Sequence, residues 1–462
     1  MTGPAPRLSR SLPGTSAAAP VRLVHLGLGN FHRAHQAWYT AHASDSAEWG
    51  IAAFTGRSPA AAEALAPQDG LYTLLTRGRD EDTVELVGSL SAVHPVGDHE
   101  ALLGYLARPE VAVVTITVTE AGYLQGPDGR LDADRDVVGD DVAKLRSDPR
   151  AVVTSLPARL VAGLLARRAA GAGPITVLSC DNLPDNGAVT QTVVRDLAAL
   201  VDHTLVGWVD GHVDFATSMV DRITPATTDE DRALVAQRCG WIDAAPVPTE
   251  PYHAWVVAGT FPAGRPRWED AGVTLVDDVT PFEQRKLWLL NGSHSLLAYV
   301  GSIRGHATID EAIADPSCRA WVESFWDEAG RHLTVSADDV AAYRAALADR
   351  FANPRVRHRL AQIAADGSQK LLVRTVPVLA AERAAGQLPV GCATTVAAWV
   401  LHLRGRGAPV QDPGAGHKAL AAATQPDLPT AVRDVLDLLE EGRGVDVPFV
   451  DAVLGQVRAI EG

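Results

Sequence analysis

Val21-Arg-Leu-Val-His-Leu26-Gly27-Leu-Gly29-Asn-Phe-His32 is the stretch on which the fold turns. Its first six residues form a short apolar run, the pattern of a strand buried on both faces. Gly27 and Gly29 follow at once, and the segment Phe31–Ser44 continues with helical spacing. A strand, a Gly-x-Gly turn and a helix in that order suit close backbone approach to a pyrophosphate, with the first helical N–H groups as donors. The third glycine of the G-x-G-x-x-G pattern is replaced by His32, so the bare pattern is incomplete. Its position at the head of an α/β alternation is what gives it weight.

Gly50-Ile-Ala-Ala-Phe-Thr55, Val111–Val118 and Ile175–Ser179 are further apolar runs of strand length, with helical patterns at Asp98–Ala107 and Pro157–Ala170 between them. Such alternation predicts a parallel sheet with helices on both faces, a doubly wound Rossmann-type domain. Leu71–Thr76 and Val84–Val87 read as a hairpin inserted before the sheet resumes. From about Thr280 the apolar period becomes helical through Pro281–Gly301, Ile309–Ala314, Ala320–Leu333, Ala337–Arg350, His358–Ala365, Thr375–Arg383, Ala393–Arg404 and Thr430–Glu441. The expected organisation is a disordered lead over residues 1–20, a dinucleotide-binding domain over 21–278 and an all-α domain over 279–462. The lead is expected to be disordered because it is rich in Pro, Ala, Ser and Gly.

The chain has 462 residues, too many for one core. Its 41 basic and 56 acidic residues give a net charge of −15, with no basic run, which argues against nucleic acid or an anionic membrane as partner. The four cysteines stand far apart, as in a reducing cytoplasm, with neither a disulfide framework nor a zinc cage. No apolar run approaches the roughly 20 residues that span a bilayer. A cytoplasmic location is the expectation.

Lys286, Asn291 and His294 fall within nine residues of one predicted helix. On a regular α-helix they stand at about 0°, 140° and 80° around the axis, close enough to line one wall while Leu287, Leu290 and Leu297 pack behind. An amine, a carboxamide and an imidazole are the groups that move a proton on and off an alcohol; the alternative is a helix with polar residues in solvent. The second strand ends Phe54-Thr-Gly-Arg57-Ser58, without the carboxylate that binds a ribose 2′-OH. Arg57 and Ser58 either meet a 2′-phosphate or are solvated loop residues, so NAD and NADP both stay open. His32-x-x-His35 lacks a third ligand and makes a poor zinc pair; contact with phosphates or closure of the cleft suits it better. Cys180-Asp181-Asn182 ends a buried strand, where Asn182 is either a turn former or an amide aimed at a substrate oxygen. Asp221 and Arg222 are either a structural ion pair or part of a site.

Gly27-Leu-Gly-Asn-Phe-His-Arg-Ala-His-Gln36 resembles the opening of the polyol-specific long-chain dehydrogenases, the mannitol 2-dehydrogenase and fructuronate reductase family. Pro67–Thr73, Thr117–Tyr123, Ser179–Asn182 with Asn186-Gly187, Met219–Pro225, Lys286–His294 and Asp366–Lys370 look similar and occur in the same order. The resemblance implies a Rossmann domain followed by a helical domain, a nicotinamide cofactor, no metal and a monomer. It places the catalytic lysine at Lys286, carbonyl-polarising asparagines at Asn182 and Asn291, a supporting histidine at His294 and a proton-passing glutamate at Glu283. Asp221, Arg355 and His358 fall on substrate contacts, while Gly27, Gly29, Asn30, Phe31 and Arg57 fall on the cofactor side. Two departures bear on substrate. An acidic pair usual in the family is missing from Trp255–Phe261, and Arg57-Ser58-Pro59 is nearer the hexuronate-reductase branch.

The expected activity is interconversion of a sugar alcohol and its 2-ketose, of mannitol/fructose or arabinitol/xylulose type, with Lys286 as base. Burial beside a cationic nicotinamide lowers a lysine pKa, which makes an amine a base near neutrality. The alternative substrate is a hexuronate of mannonate/fructuronate type, with Arg355, Arg374 or Lys370 meeting its carboxylate. A catalytically idle nucleotide-binding protein and a zinc alcohol dehydrogenase are the remaining alternatives.

Overall fold

The computed structural model describes residues 5–413 and 416–462, and the chain divides between Val279 and Thr280 into two compact units. The strands of the first unit are β1 (Val21–Leu26), β2 (Gly50–Phe54), β3 (Tyr72–Arg77), β4 (Asp82–Val87), β5 (Leu90–His94), β6 (Val113–Ile116), β7 (Ile175–Ser179), β8 (Val213–Asp221), β9 (Val247–Thr249), β10 (Ala254–Ala258) and β11 (Thr274–Leu275). Eight of them form one sheet in the order β11-β10-β8-β7-β6-β1-β2-β5. Every pairing in it is parallel except β8 with β10. The expected hairpin, β3–β4, is antiparallel and joins β9 in a separate three-stranded sheet.

The apolar runs are continuous because both sheet faces are covered. Val24, Leu26, Phe54, Val114 and Ile116 meet the helices His99–Leu106, Asp136–Ser147 and Leu156–Ala170 on one side. Leu23, Ile51, Ala53, Val113 and Leu178 face Tyr39, Tyr72, Trp255 and Trp268 on the other. Register brings the carboxyl ends of five strands level: His94 pairs with Phe54, Phe54 with Leu26, Leu26 with Ile116 and Ile116 with Ser179. An α/β sheet receives its ligands along this edge.

Residues 5–20 are not the disordered lead that composition suggests. Leu8 is fully buried, Leu8 N donates to Ile242 O at 2.9 Å, and Ile242 N donates to Pro6 O at 2.8 Å. Arg10 donates to Ser16 O and Gly88 O at 2.7 Å each and to Leu90 O at 3.0 Å. A single arginine thus ties the lead to the β4–β5 connection, a device that composition cannot reveal. Residues 1–4 of that lead lie outside the described residues.

The second unit is helical, as expected. Its central helix, Val390–Leu403, is buried all round and packs against Ser293–Ile303, Pro316–Gly330 and Val447–Glu461. A helix apolar on every side belongs in a core. No helix among the described residues is long and apolar enough to cross a membrane.

Candidate active site

The first unit carries the predicted nucleotide loop. Gly27 N and Leu28 N both donate to Phe54 O, at 2.9 and 2.8 Å, which folds the chain sharply over the end of β2. Gly27 has φ +109°, and a Cβ there would lie 1.9 Å from Thr117 O. Its glycine is required by the neighbouring strand end. At Gly29 a Cβ would meet nothing closer than Gly27 O at 3.7 Å, so the protein's own packing does not demand a glycine there. That open space fits a ligand's approach, and the Gly27–Gly29 loop fits a dinucleotide pyrophosphate.

The helix after the loop is broken. It runs Asn30–Ala34, pauses at His35 and resumes over Gln36–His42, in place of the single helix Phe31–Ser44 expected. The side chain of Asn30 is committed to the protein: Nδ2 donates to Pro225 O and to Thr227 Oγ1, both at 3.1 Å, and Oδ1 accepts from Arg33 at 2.6 Å. Only its backbone remains for a cofactor. Phe31 stacks on His35 with ring centroids 5.0 Å apart. His32 and His35 are fully buried, inside the fold and not at its surface. His35 Nε2 lies 3.0 Å from Ala254 O. His32 lies flat on His25 with centroids 3.3 Å apart. The third glycine of the pattern normally allows close helix–strand packing; here two stacked, nearly parallel imidazoles occupy that contact. Burial pushes His25 down to about 3, so that ring is neutral. Arg57 is exposed just beyond β2.

At the end of β7, Asp181 is buried and Asn182 is exposed. Asp181 Oδ1 accepts from Val118 N at 2.7 Å, and Oδ2 accepts from Tyr123 Oη at 2.6 Å. Asn186 Nδ2 bridges Asp181 O and Ser218 O at 2.9 and 2.7 Å, which joins the ends of β7 and β8. Burial raises Asp181 to about 7 against those bonds from Tyr123 and Val118, with Glu120 raising it further. Asp221 is buried at the end of β8, in register with Ala254, and its charge is felt by His35. Arg222 donates to Glu250 O at 3.3 Å from both Nε and Nη2.

In the second unit, Lys286–Gly292 is not the regular α-helix expected but a π-helix. In a π turn the bonds run i to i+5, so Lys286 and Asn291 lie one above the other across a single turn. Tertiary contacts hold this rare geometry. Leu289 O accepts from Trp326 Nε1 at 2.9 Å and also from Ser293 Oγ. Asn291 O accepts from Arg374 Nη1 at 3.3 Å, and the same nitrogen donates to Ser295 Oγ at 3.1 Å. Gly292 lets the turn approach Phe325, where a Cβ would stand 2.5 Å from the ring. Lys286 and Asn291 are 9% and 8% exposed.

His294 follows on the next helix. Its ring packs on Phe351 with centroids 4.9 Å apart and meets His358 edge-on at 5.2 Å. His294 Nε2 and His358 Nδ1 are buried without a hydrogen-bond partner among the described residues. Burial, and after it His358, Arg350 and Arg374, holds His294 well below the usual histidine range. Burial, Arg350 and Lys370 lower His358 likewise. Both rings are therefore neutral, each with a ring nitrogen able to serve a hydroxyl. Arg355 is exposed in the loop before His358, and Glu283 is half-buried one turn before Lys286. Lys370 Nζ donates to Ala365 O and Ile363 O at 2.6 and 3.2 Å, which ties it to the backbone. Sequence reasoning missed Trp326, Phe351 and Ser293. Only Ser293 left a signal, a serine four residues after Leu289, where such side chains bond back to the helix.

His306, Asp315 and Cys318 bring metal-type donor atoms within 4.8 Å of one another. Arg304 already meets Asp315 at 2.6 Å, and Asp315 caps the helix Pro316–Gly330, so the cluster suits an ion pair.

A Rossmann unit with a glycine turn at its first strand, joined to a helical unit with a buried lysine, asparagine and histidine, defines a nicotinamide-dependent dehydrogenase class. Residues 21–270 match the mannitol dehydrogenase Rossmann domain, and residues 278–446 match the mannitol dehydrogenase C-terminal domain. The chain belongs to the mannitol dehydrogenase family. It is 38% identical over 394 residues to D-mannonate oxidoreductase of Escherichia coli K12, covering 83% of this chain and 80% of that one. The Pseudomonas fluorescens mannitol 2-dehydrogenase, solved as a ternary complex with NAD and D-mannitol, superposes with a TM-score of 0.78 at 34% identity over 99% of this chain and 94% of that one. A D-sorbitol dehydrogenase in substrate-free form gives a TM-score of 0.89 at 28% identity over 98% of both chains. The protein is an oxidoreductase.

Proposed function

We propose that the protein interconverts a secondary alcohol of an open-chain polyol and the corresponding 2-ketose, of the mannitol/fructose type. One observation carries the reading: the π turn Lys286–Gly292 stacks a buried amine on a buried carboxamide, immediately before an imidazole with an open ring nitrogen. A bound nicotinamide dinucleotide supplies or accepts the hydride. Lys286 takes the hydroxyl proton during oxidation and returns it during reduction. Asn291 donates to the oxygen as negative charge develops on it, an interaction typically worth about 10²–10³ in rate. His294 and His358 hold neighbouring hydroxyls through their open nitrogens. The family resemblance gives Asn182 a donor role like that of Asn291, Glu283 the passage of the proton, and Asp221 and Arg355 hydroxyl contacts. Gly27, Gly29, the backbone of Asn30, Phe31 and Arg57 serve the cofactor, and the chemistry asks for no metal.

A sugar acid is the second reading, favoured by the positive surroundings of the two histidines, which feel Arg350, Arg374 and Lys370. Mannitol, arabinitol, sorbitol, mannonate and altronate, each with NAD and NADP and followed by nicotinamide absorbance, separate the readings. Lys286→Ala should lose kcat by several orders of magnitude while still binding cofactor. Turnover within about tenfold of wild type would remove Lys286 from the base role.

A further inference from the structure

Among the described residues of the first unit four arginines are buried, and three of them are satisfied, mainly by the backbone. Arg167 donates to five carbonyls, those of Gly173, Leu106, Arg108, Ala172 and Pro174, at 2.8–3.1 Å. Arg33 donates to Ala245 O and Asn30 Oδ1, and Arg222 to Ala34 O and Glu250 O. Arg159 is the exception. It is 5% exposed, yet its guanidinium has no hydrogen bond and no ion pair among the described residues, and Nη2 is shut off from solvent. The ring of Phe54 lies beside it, with Cζ 5.9 Å from the centroid.

The place is informative. Phe54 is the last residue of β2, level with the carboxyl ends of β1 and β6. Arg159 lies in the first turn of the helix Leu156–Ala170, whose N-cap is Ser155. The N-terminus of His99–Leu106, a helix packed against the first, brings His99, which is 3% exposed and whose Nε2 also lacks a partner. Arg159 acts on that imidazole, since burial and then Arg159 lower the His99 pKa. The nearby carboxylate Glu100 is held by Arg150 at 2.5 Å, and Asp98 is held by His94 at 2.6 Å. Among the described residues no acidic group pairs with Arg159, which feels burial alone. Folds pair buried charges because an uncompensated one is costly; two helix N-termini, a guanidinium and an imidazole together make a setting for an anion.

We propose that Arg159 and His99 form a seat for a phosphate group at the ligand edge of the first unit. Two sources supply that chemistry: the adenosine 2′-phosphate of NADP, because a ribose lies over the end of the second strand in such folds, and free inorganic phosphate. The first rests on the dehydrogenase reading; the second does not, and neither is measured by turnover.

The test is thermal melting of the full chain in phosphate-free buffer with added inorganic phosphate, alongside calorimetric binding of NAD and NADP, for wild type, Arg159→Met and Arg159→Lys. Phosphate should raise the wild-type Tm. Arg159→Met should melt no lower than wild type without phosphate and lose the phosphate-dependent rise, and Arg159→Lys should keep a weakened rise. A loss of NADP affinity of about ten- to hundredfold in Arg159→Met, with NAD unchanged, identifies the cofactor's phosphate as occupant. Loss of the rise with both dinucleotides unaffected identifies free phosphate. The proposal is overturned by no rise in wild type, by an equal rise in Arg159→Met, or by Arg159→Met melting well below wild type with no phosphate present. If Arg159→Met fails to fold, direct calorimetry of phosphate on wild type and Arg159→Lys decides, with equal affinities refuting the seat.

Discussion

Gly292→Ala puts the π turn itself under test. The added methyl carbon would stand 2.5 Å from Cε1 and 2.8 Å from Cζ of Phe325. Carbon atoms pack at about 3.5–4.0 Å, so relief needs a movement of about 1 Å. Phe325 is fully buried and cannot swing aside without opening a void, so the turn must yield. Overpacking costs about 1–3 kcal/mol, and the preference of helices for Ala over Gly offsets about 1 kcal/mol. A net loss of about 0–2 kcal/mol is expected. Catalysis should be more sensitive, because a misplacement of about 1 Å costs roughly 10²-fold in rate. Steady-state kinetics should therefore show kcat reduced by about 10- to 100-fold, while dinucleotide binding is unchanged. Gly455→Ala is the control: that glycine lies in the helix Val447–Glu461 with nothing within 4 Å of its would-be Cβ. It should gain about 0.5–1 kcal/mol and leave turnover alone. A Gly292→Ala enzyme within about twofold of wild-type kcat, and melting as high as Gly455→Ala, would refute the account of how the turn is held.

Gly27→Ala combines φ +109° with a 1.9 Å clash against Thr117 O, so the variant should be recovered insoluble or melt far below wild type; a normal melt would contradict the packing described. Arg167→Met strips donors from five carbonyls and should destabilise the first unit by about 3 kcal/mol or more, measured by urea unfolding followed with tryptophan fluorescence. Asp181 has a folded pKa of about 7, raised above the unfolded carboxylate value, so the native state binds the extra proton. Its contribution is fully present below about pH 4 and is lost as pH rises toward 7, with a slope of up to about 1.4 kcal/mol per pH unit. Asp181→Asn should remove that slope, so that stability relative to wild type grows between pH 4 and 7; parallel pH curves would exclude the shift.

Much of the first unit was legible because burial on both sheet faces writes itself into the chain. Val21–Leu26 and Ile175–Ser179 were read with their observed ends, and Ile309–Ala314 was marked by its own helical period. β8 and β10 escaped notice because Asp214, Thr217, Ser218 and Asp221 interrupt the apolar pattern of β8, and β10 is a short edge-side partner. The helix Val447–Glu461 was also missed, although its Val450, Val453, Val457 and Ile460 are buried. The site residues were legible as types and less so as geometry. A 3.6-residue period is the same whether Lys286–Gly292 is an α or a π turn, since Trp326, Phe325 and Arg374, which decide between them, are remote in sequence. Asn30 and the two histidines after it were read as facing a ligand, but Pro225 and Thr227 bond the Asn30 side chain, Ala254 bonds His35, and His32 is stacked on His25, all through contacts remote in sequence or hidden in the fold.

A π turn is an α-helix carrying one surplus residue. Excising a single codon between those for Arg285 and Ser293 would let the ladder relax to ordinary spacing. The flanking helices would keep their direction and their packing. Among kindred chains, then, a one-residue gap in this window would mark a helix in which the π turn had given way to an ordinary α ladder.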